Sequence, residues 1–140
     1  MRRILLVFGL FGVLVYCIYG YYLGYQHGVF DALIKQAVAD NSLALYWDAT
    51  SRWNRINAQH AHGIGFSILV LLTGLMWNEV WFSEKIKRCL GFVLIGGCIT
   101  ANLAIAVYYI PVMILGEIIL LICLGTTLVG IVKRSVNKIE

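Results

Sequence analysis

The sequence predicts an all-helical integral membrane protein, a four-helix bundle forming one domain over residues 1–140. Three observations predict it. Hydrophobic residues make up 61% of the chain and charged residues only 13%, whereas a soluble domain of this size carries far more polar surface. Four apolar runs are each long enough to cross a bilayer. The basic residues concentrate on one set of connections, as orientation signals do. The net charge of +4 is therefore a membrane signature and implies no nucleic-acid partner.

The first span is expected from about Ile4 to Tyr25. "MRRILLVFGLFGVLVYC" imitates a signal peptide, but its apolar run continues to about Leu23, and Tyr16 is too large to precede a lipoprotein cleavage site at Cys17. A retained helix is expected. The second span runs from about Gln59 to Trp77, the third from Cys89 to Tyr109, and the fourth from Val112 to Val132. Backbone polar groups in hydrocarbon must be satisfied within their own segment, so each span is a helix. Tyr21, Tyr22, Trp77, Trp81, Tyr108 and Tyr109 mark span ends, where aromatic belts form.

Arg2, Arg3, Lys85, Lys87, Arg88, Lys133, Arg134 and Lys138 fall on one side; only Lys35, Arg52 and Arg55 fall on the other. The positive-inside rule places both termini in the cytoplasm of a multi-pass, bacterial-type inner membrane protein. The segment between spans one and two then faces outward. "HGVFDALIKQAVAD" sets Phe30, Leu33, Ile34, Ala37 and Val38 at helical spacing, Asn41-Ser42 breaks the pattern, and "SLALYWDATSRWNRI" resumes it. Two short amphipathic helices lying on the membrane surface are expected. Cys17, Cys89, Cys98 and Cys123 show no CxxC pair or zinc spacing and read as buried hydrophobes.

Few polar residues interrupt the spans, and most gather in the outward half. His60 and His62 open the second helix in "NAQHAHGIGF"; Asn102 sits on the third and Glu117 on the fourth, each a few residues from the Pro111 turn. Gln26 and His27 end the first span there. Each has a structural reading: interfacial histidines, an interhelical amide bond, a protonated carboxyl. His60, Gly63, Ser67 and Gly74 share one helix face at i, i+3, i+7 and i+14. Such a face suits a close helix contact or a flat ring, and Arg52 and Arg55 just outside suit propionates. His62 lies on a different face.

These residues resemble the small four-helix membrane isomerases, styrene oxide isomerase and hydroxylaminobenzene mutase, over His60 to about Ala106. His60, Gly63, Gly74 and Trp77 match the spacing in that family's second helix, and Ala101-Asn102 in "TANLAIA" matches an Ala-Asn pair of its third. The resemblance implies a homotrimer binding heme b at subunit contacts. His60 would be the axial ligand of a ferric iron that serves as Lewis acid for a small apolar oxygenated substrate. It implies Asn102 and Thr100 as catalytic positions, and His60, Gly63, Arg52 and Arg55 around the cofactor. The chain departs from the family at Phe66, where the family has asparagine, and at Thr100, where it has tyrosine. Two alternatives stand beside this reading. One is a non-enzymatic heme protein, such as a redox carrier, sensor or small respiratory-complex subunit, with His27 as second ligand. The other is a heme-free protein binding a metal ion through His60, His62 and Glu117.

Overall fold

The computed structural model describes residues 1–107 and 109–137. Two residues used above, Tyr108 and Lys138, lie outside the described residues. Among the described residues the fold is all-helical: α1 (Arg2–Ala39), α2 (Leu43–Met76), a single 3-10 turn (Trp77–Glu79), α3 (Glu84–Ala106) and α4 (Ile110–Val136). All four α-helices are long and apolar enough to cross a membrane. The expected spans overlap them in order, the third overrunning α3 at Ala106 to reach the α4 cap at Tyr109, and the four helices suggest a multi-pass membrane protein by length and composition.

The two surface helices expected between spans one and two do not exist as separate elements. α1 runs unbroken through Asp31 and Lys35, and α2 begins at Leu43, well before Gln59. At 1.5 Å per residue, the 38-residue α1 is about 57 Å long and the 34-residue α2 about 51 Å, against roughly 30 Å of hydrocarbon. The excess forms an antiparallel hairpin beyond the spans. The amphipathic faces that looked suited to a membrane surface cover each other in part: Phe30 and His27 pack on Trp53, and Ala37 and Ala49 are buried, while Leu33, Val38 and Trp47 stay exposed. Asp31 and Lys35 pair at 2.7 Å along the exposed side. The break at Asn41-Ser42 is where it was expected. Asn41 adopts φ 50°, the left-handed region an asparagine tolerates, and the Ser42 hydroxyl accepts from the Leu45 N–H to cap α2.

The second hairpin is tighter. Pro111 lies in the first turn of α4, where its missing N–H costs nothing; Val107 caps the end of α3 and Tyr109 the start of α4. Gly116 lies directly against Ala101, so that a Cβ there would sit 2.8 Å from the Ala101 nitrogen. The core where the hairpins meet contains Leu5, Val70, Trp77, Leu94, Cys98, Ala101, Leu120 and Cys123. Cys98 and Cys123 are buried as expected, whereas Cys17 and Cys89 are exposed toward the exterior of the helices. Met1 packs by Gly91, and Arg134 of α4 reaches the carbonyl of Asn78, so the start of α1, the α2–α3 connection and the end of α4 share one end of the molecule.

Candidate functional site

α1 and α2 approach closely because each presents small residues to the other. Gly9 of α1 faces the Leu71 backbone, Gly12 faces the Ser67 hydroxyl, and Gly74 of α2 faces Leu5 and Leu6. The stripe Gly63, Ser67, Gly74 is thus occupied along its length by α1 of the same chain. At its outer end Tyr16 lies over Gly63, so closely that a Cβ on Gly63 would fall on the phenol ring.

This placement of Tyr16 builds a polar junction. Its hydroxyl donates to Asn102 Oδ1 at 2.7 Å, and Asn102 Nδ2 donates to the Cys98 carbonyl at 2.8 Å. Three helices are joined there: α1 supplies Tyr16, α3 supplies Asn102, and α2 supplies Gly63 beneath the ring. Ser67 is turned onto its own helix, donating to the Gly63 carbonyl at 2.7 Å. Beside the junction lies a cavity of about 220 Å³, walled mainly by Phe8, Phe11, Val15, Ile99 and Leu103, with Tyr16, Ser67 and Asn102 as its polar lining. Phe11 and Leu103 are also exposed on the outer surface of the helices, so the cavity opens where lipid chains would lie.

The two histidines part company. His60 turns into the α1–α2 seam, where its ring packs on Gly20 and tilts against Tyr19 at 6.1 Å between centroids. Its Nδ1 is buried without a hydrogen-bond partner among the described residues. His62 turns instead to α4, with Nδ1 3.4 Å from Glu117 Oε1. That contact is close enough for an ion pair, but Glu117 Oε1 makes no aligned hydrogen bond. His62 also packs on Phe66 and lines a second cavity, about 230 Å³, with Arg55 and Met113.

The other expected site residues disperse. Arg52 pairs with Asp48 one turn away at 3.0 Å. Arg55 stands with His62 rather than with His60. His27 lies edge-on to Trp53, seven residues and so about 10 Å beyond the Gly20 that packs on His60. Thr100 is about 200° around α3 from Asn102 at roughly 100° per residue, and it does not line the Asn102 cavity. Among the described residues no three His, Cys, Asp or Glu side chains are grouped to hold a metal ion; His60 and the His62–Glu117 pair lie on different faces of α2.

A heme at His60 does not fit this packing. Gly63, which would leave space beside the ligand, is covered by Tyr16, and the imidazole is pressed on Gly20. The cavities at about 220 and 230 Å³ fall below the roughly 300–1,000 Å³ typical of drug-sized ligand and cofactor sites. They are well matched to something smaller, since a dry cavity of about 150 Å³ already takes benzene.

The residue that reading the sequence missed is Tyr16. Gly9, Gly12, Tyr16 and Leu23 recur at i, i+3, i+7 and i+14 on α1, the same spacing as the stripe on α2. Two stripes of the same spacing on successive helices, each with two or more small residues, were the available signal that they pack on each other. Comparison of the chain with protein-family models, curated proteins and solved structures finds no match. The likeness to the membrane isomerases rests on the residues quoted above alone.

Proposed function

We propose that this protein takes a small, largely apolar, oxygen-bearing molecule from the bilayer into the Phe11–Leu103 cavity and holds its oxygen at the Tyr16–Asn102 pair. The carrying observation is the 2.7 Å hydrogen bond between those two side chains at the edge of a lipid-facing cavity of arene size. Such a half-buried polar pair in an apolar wall gives a ligand both orientation and discrimination. Tyr16 donates its proton to Asn102, so its oxygen is left to accept, and rotation of the hydroxyl turns it into a donor toward a ligand oxygen.

An isomerisation without net redox change is the reaction class this arrangement suits. The family resemblance implies a tyrosine beside the Ala-Asn pair, and Thr100 occupies the family's position. A tyrosine nevertheless stands on Asn102, supplied by α1. A phenol donating to an epoxide oxygen in a dry pocket stabilises negative charge as the carbon–oxygen bond opens. A homotrimer and a cytoplasmic location of both termini belong to the same proposal; heme b does not, because His60 is packed against Gly20 and Tyr16 covers Gly63.

One experiment tests both parts. Purified protein in detergent is titrated with styrene oxide and with ethylbenzene, while melting temperature and absorption spectrum are recorded. The expected result is stabilisation by the epoxide and not by the hydrocarbon, lost in Tyr16→Phe. Equal effects of the two compounds, or none from either, overturn the proposal. A Soret band that disappears in His60→Ala establishes the cofactor and shows that α1 moves off Gly63 to admit it.

A further inference from the structure

The end of the molecule that gathers the start of α1 and the end of α4 carries a third cavity, about 280 Å³, lined by Trp81, Phe82, Ser83, Ile86, Lys87 and Arg134 among others. We infer that this cavity binds the phosphate headgroup of an anionic phospholipid, the acyl chains running up the apolar surface of α3. The inference rests on the helices spanning a bilayer and is independent of the ligand proposed for the Tyr16 cavity.

The cavity is built rather than incidental. The Val80–Ser83 connection is pinned to α4 by the Trp81 N–H donating to the Gly130 carbonyl at 3.0 Å. Gly130 allows that approach, since a Cβ would meet Val80 and Phe82 at 2.8 Å. Arg134 closes the far side, donating to the Asn78 carbonyl and pairing with Glu79 at 3.3 Å. Lys133 lies over the Trp81 ring at 3.8 Å from its centroid.

Lys87 carries the chemical argument. It is 8% exposed, an unusual burial for a lysine. Its ammonium has three donors and one hydrogen-bond partner, Glu84 Oε1 at 2.8 Å. Glu84 is itself largely in solvent, so it neutralises Lys87 only partly and can yield to a stronger anion. Lys87 and Arg134 line the cavity and Lys133 lies over its Trp81, against Glu79 and Glu84, an excess of one positive charge, and Lys85 and Arg88 flank Lys87 on the first turns of α3. Half-exposed Trp81 and Ile86 continue from these charges into the apolar surface. Charge below and hydrocarbon above is the outline of a phospholipid, not of a free phosphate. Orientation alone explains basic residues at this end, but it does not require one of them to be buried in a cavity.

The test uses delipidated full-length protein in a mild neutral detergent. It is offered phosphatidylglycerol, phosphatidylcholine, or soluble glycerol phosphate, and bound lipid is counted by native mass spectrometry. Wild type is expected to retain phosphatidylglycerol over phosphatidylcholine. Lys87→Met, which keeps the buried stem, and Arg134→Gln should each cut that preference about fivefold, the equivalent of roughly 1 kcal/mol per basic residue near a lipid surface. Lys35→Gln, at the opposite end, should leave it unchanged. Circular dichroism and a monodisperse elution profile show that each variant is folded; should Lys87→Met fail there, Arg134→Gln alone decides. Equal retention of the two lipids, an unchanged preference in Arg134→Gln, or displacement of lipid by glycerol phosphate overturns the inference.

Discussion

The two hairpins of this bundle are built alike and furnished differently. Both are antiparallel pairs brought close by glycine: Gly9, Gly12 and Gly63 between α1 and α2, Gly97 and Gly116 between α3 and α4. The α1–α2 seam holds Tyr16, Tyr19, Gln59 and His60. The α3–α4 seam holds Ala101, Ile119 and Leu120 around its glycines. Two polar side chains of this hairpin turn away from it, Asn102 to Tyr16 on α1 and Glu117 to His62 on α2. The second hairpin is thus a dry clamp that presents polar groups to the first. Close packing and polar function are separated within one small protein, and substitutions should tell them apart.

The largest effect is expected where packing alone is at stake. Gly116→Ala drives a methyl group against the Ala101 backbone, 2.8 to 2.9 Å away, which cannot yield as a side chain can. A loss of about 1–3 kcal/mol is expected, as for overpacked cores, read by thermal unfolding in detergent. Gly63→Ala meets only the movable Tyr16 ring, so it should cost less stability. It should nevertheless abolish the epoxide-dependent rise in melting temperature, because a displaced ring leaves Asn102. Equal losses of stability in the two variants would erase the distinction between clamp and site.

Next in size is the Tyr16–Asn102 bond. Tyr16→Phe removes one hydrogen bond and should cost about 1 kcal/mol. Asn102→Leu should cost more, because it leaves the half-buried phenol without its partner. Both should remove discrimination between styrene oxide and ethylbenzene. If Asn102→Leu is neutral and discrimination survives, the polar junction has no role.

A smaller effect is expected at the second polar contact. The His62 and Glu117 side chains are 43% and 31% exposed and 3.4 Å apart, so solvent screening holds their pairing below about 1 kcal/mol. His62→Ala and Glu117→Gln should shift the melting temperature slightly, and the double variant should shift it no further than the larger single one. Full additivity would mean that the two side chains do not interact.

The smallest effect is at the hairpin tip, beyond the bilayer-length part of α1. The hydrogen bond from Lys35, with its charge, holds the Asp31 carboxyl below its ordinary value. A depressed carboxyl contributes stability above its unfolded-state pKa and loses it as pH falls through the folded one. Both groups are at least half exposed. Lys35→Gln should therefore remove only a slight part of the acid sensitivity of unfolding between neutral pH and the lower end of the carboxylate range. Lys35→Gln should fall slightly below wild type at neutral pH and merge with it in acid; a curve that departs in acid and merges at neutral pH would reverse the sign of this linkage.

Hydropathy read the fold well where one helix decides the matter. Each of the four spans lies on a long helix, and the break at Asn41-Ser42 fell in place because left-handed backbone and an N-cap are local properties. It read poorly where two helices decide. Phe30, Ala37, Ala49 and Trp53 are amphipathic whether they cover lipid or each other, and spacing within one segment does not say which. The same limit governed the site. His60, Gly63 and Ser67 were correctly placed on one face, but what that face meets is Tyr16 and Gly20, some 40 residues away in sequence. Asn102 was visible as a polar residue in a span; its partner on α1, Tyr16, drew notice only as a side chain too large to precede a cleavage site.

The long first hairpin has a mechanical consequence. It is a cantilever clamped in the bundle and free at Asn41. Gly24 and Gly28 of α1 have open space where a side chain would be, so packing does not demand glycine at either position, while each lowers the local resistance of the helix to bending. Together they form a compliant collar between the tip and Tyr16. A lateral load on the tip flexes α1 at this collar and leaves the Tyr16–Asn102 junction in register. Alanine at both positions would stiffen the collar and carry the same load into the cavity wall.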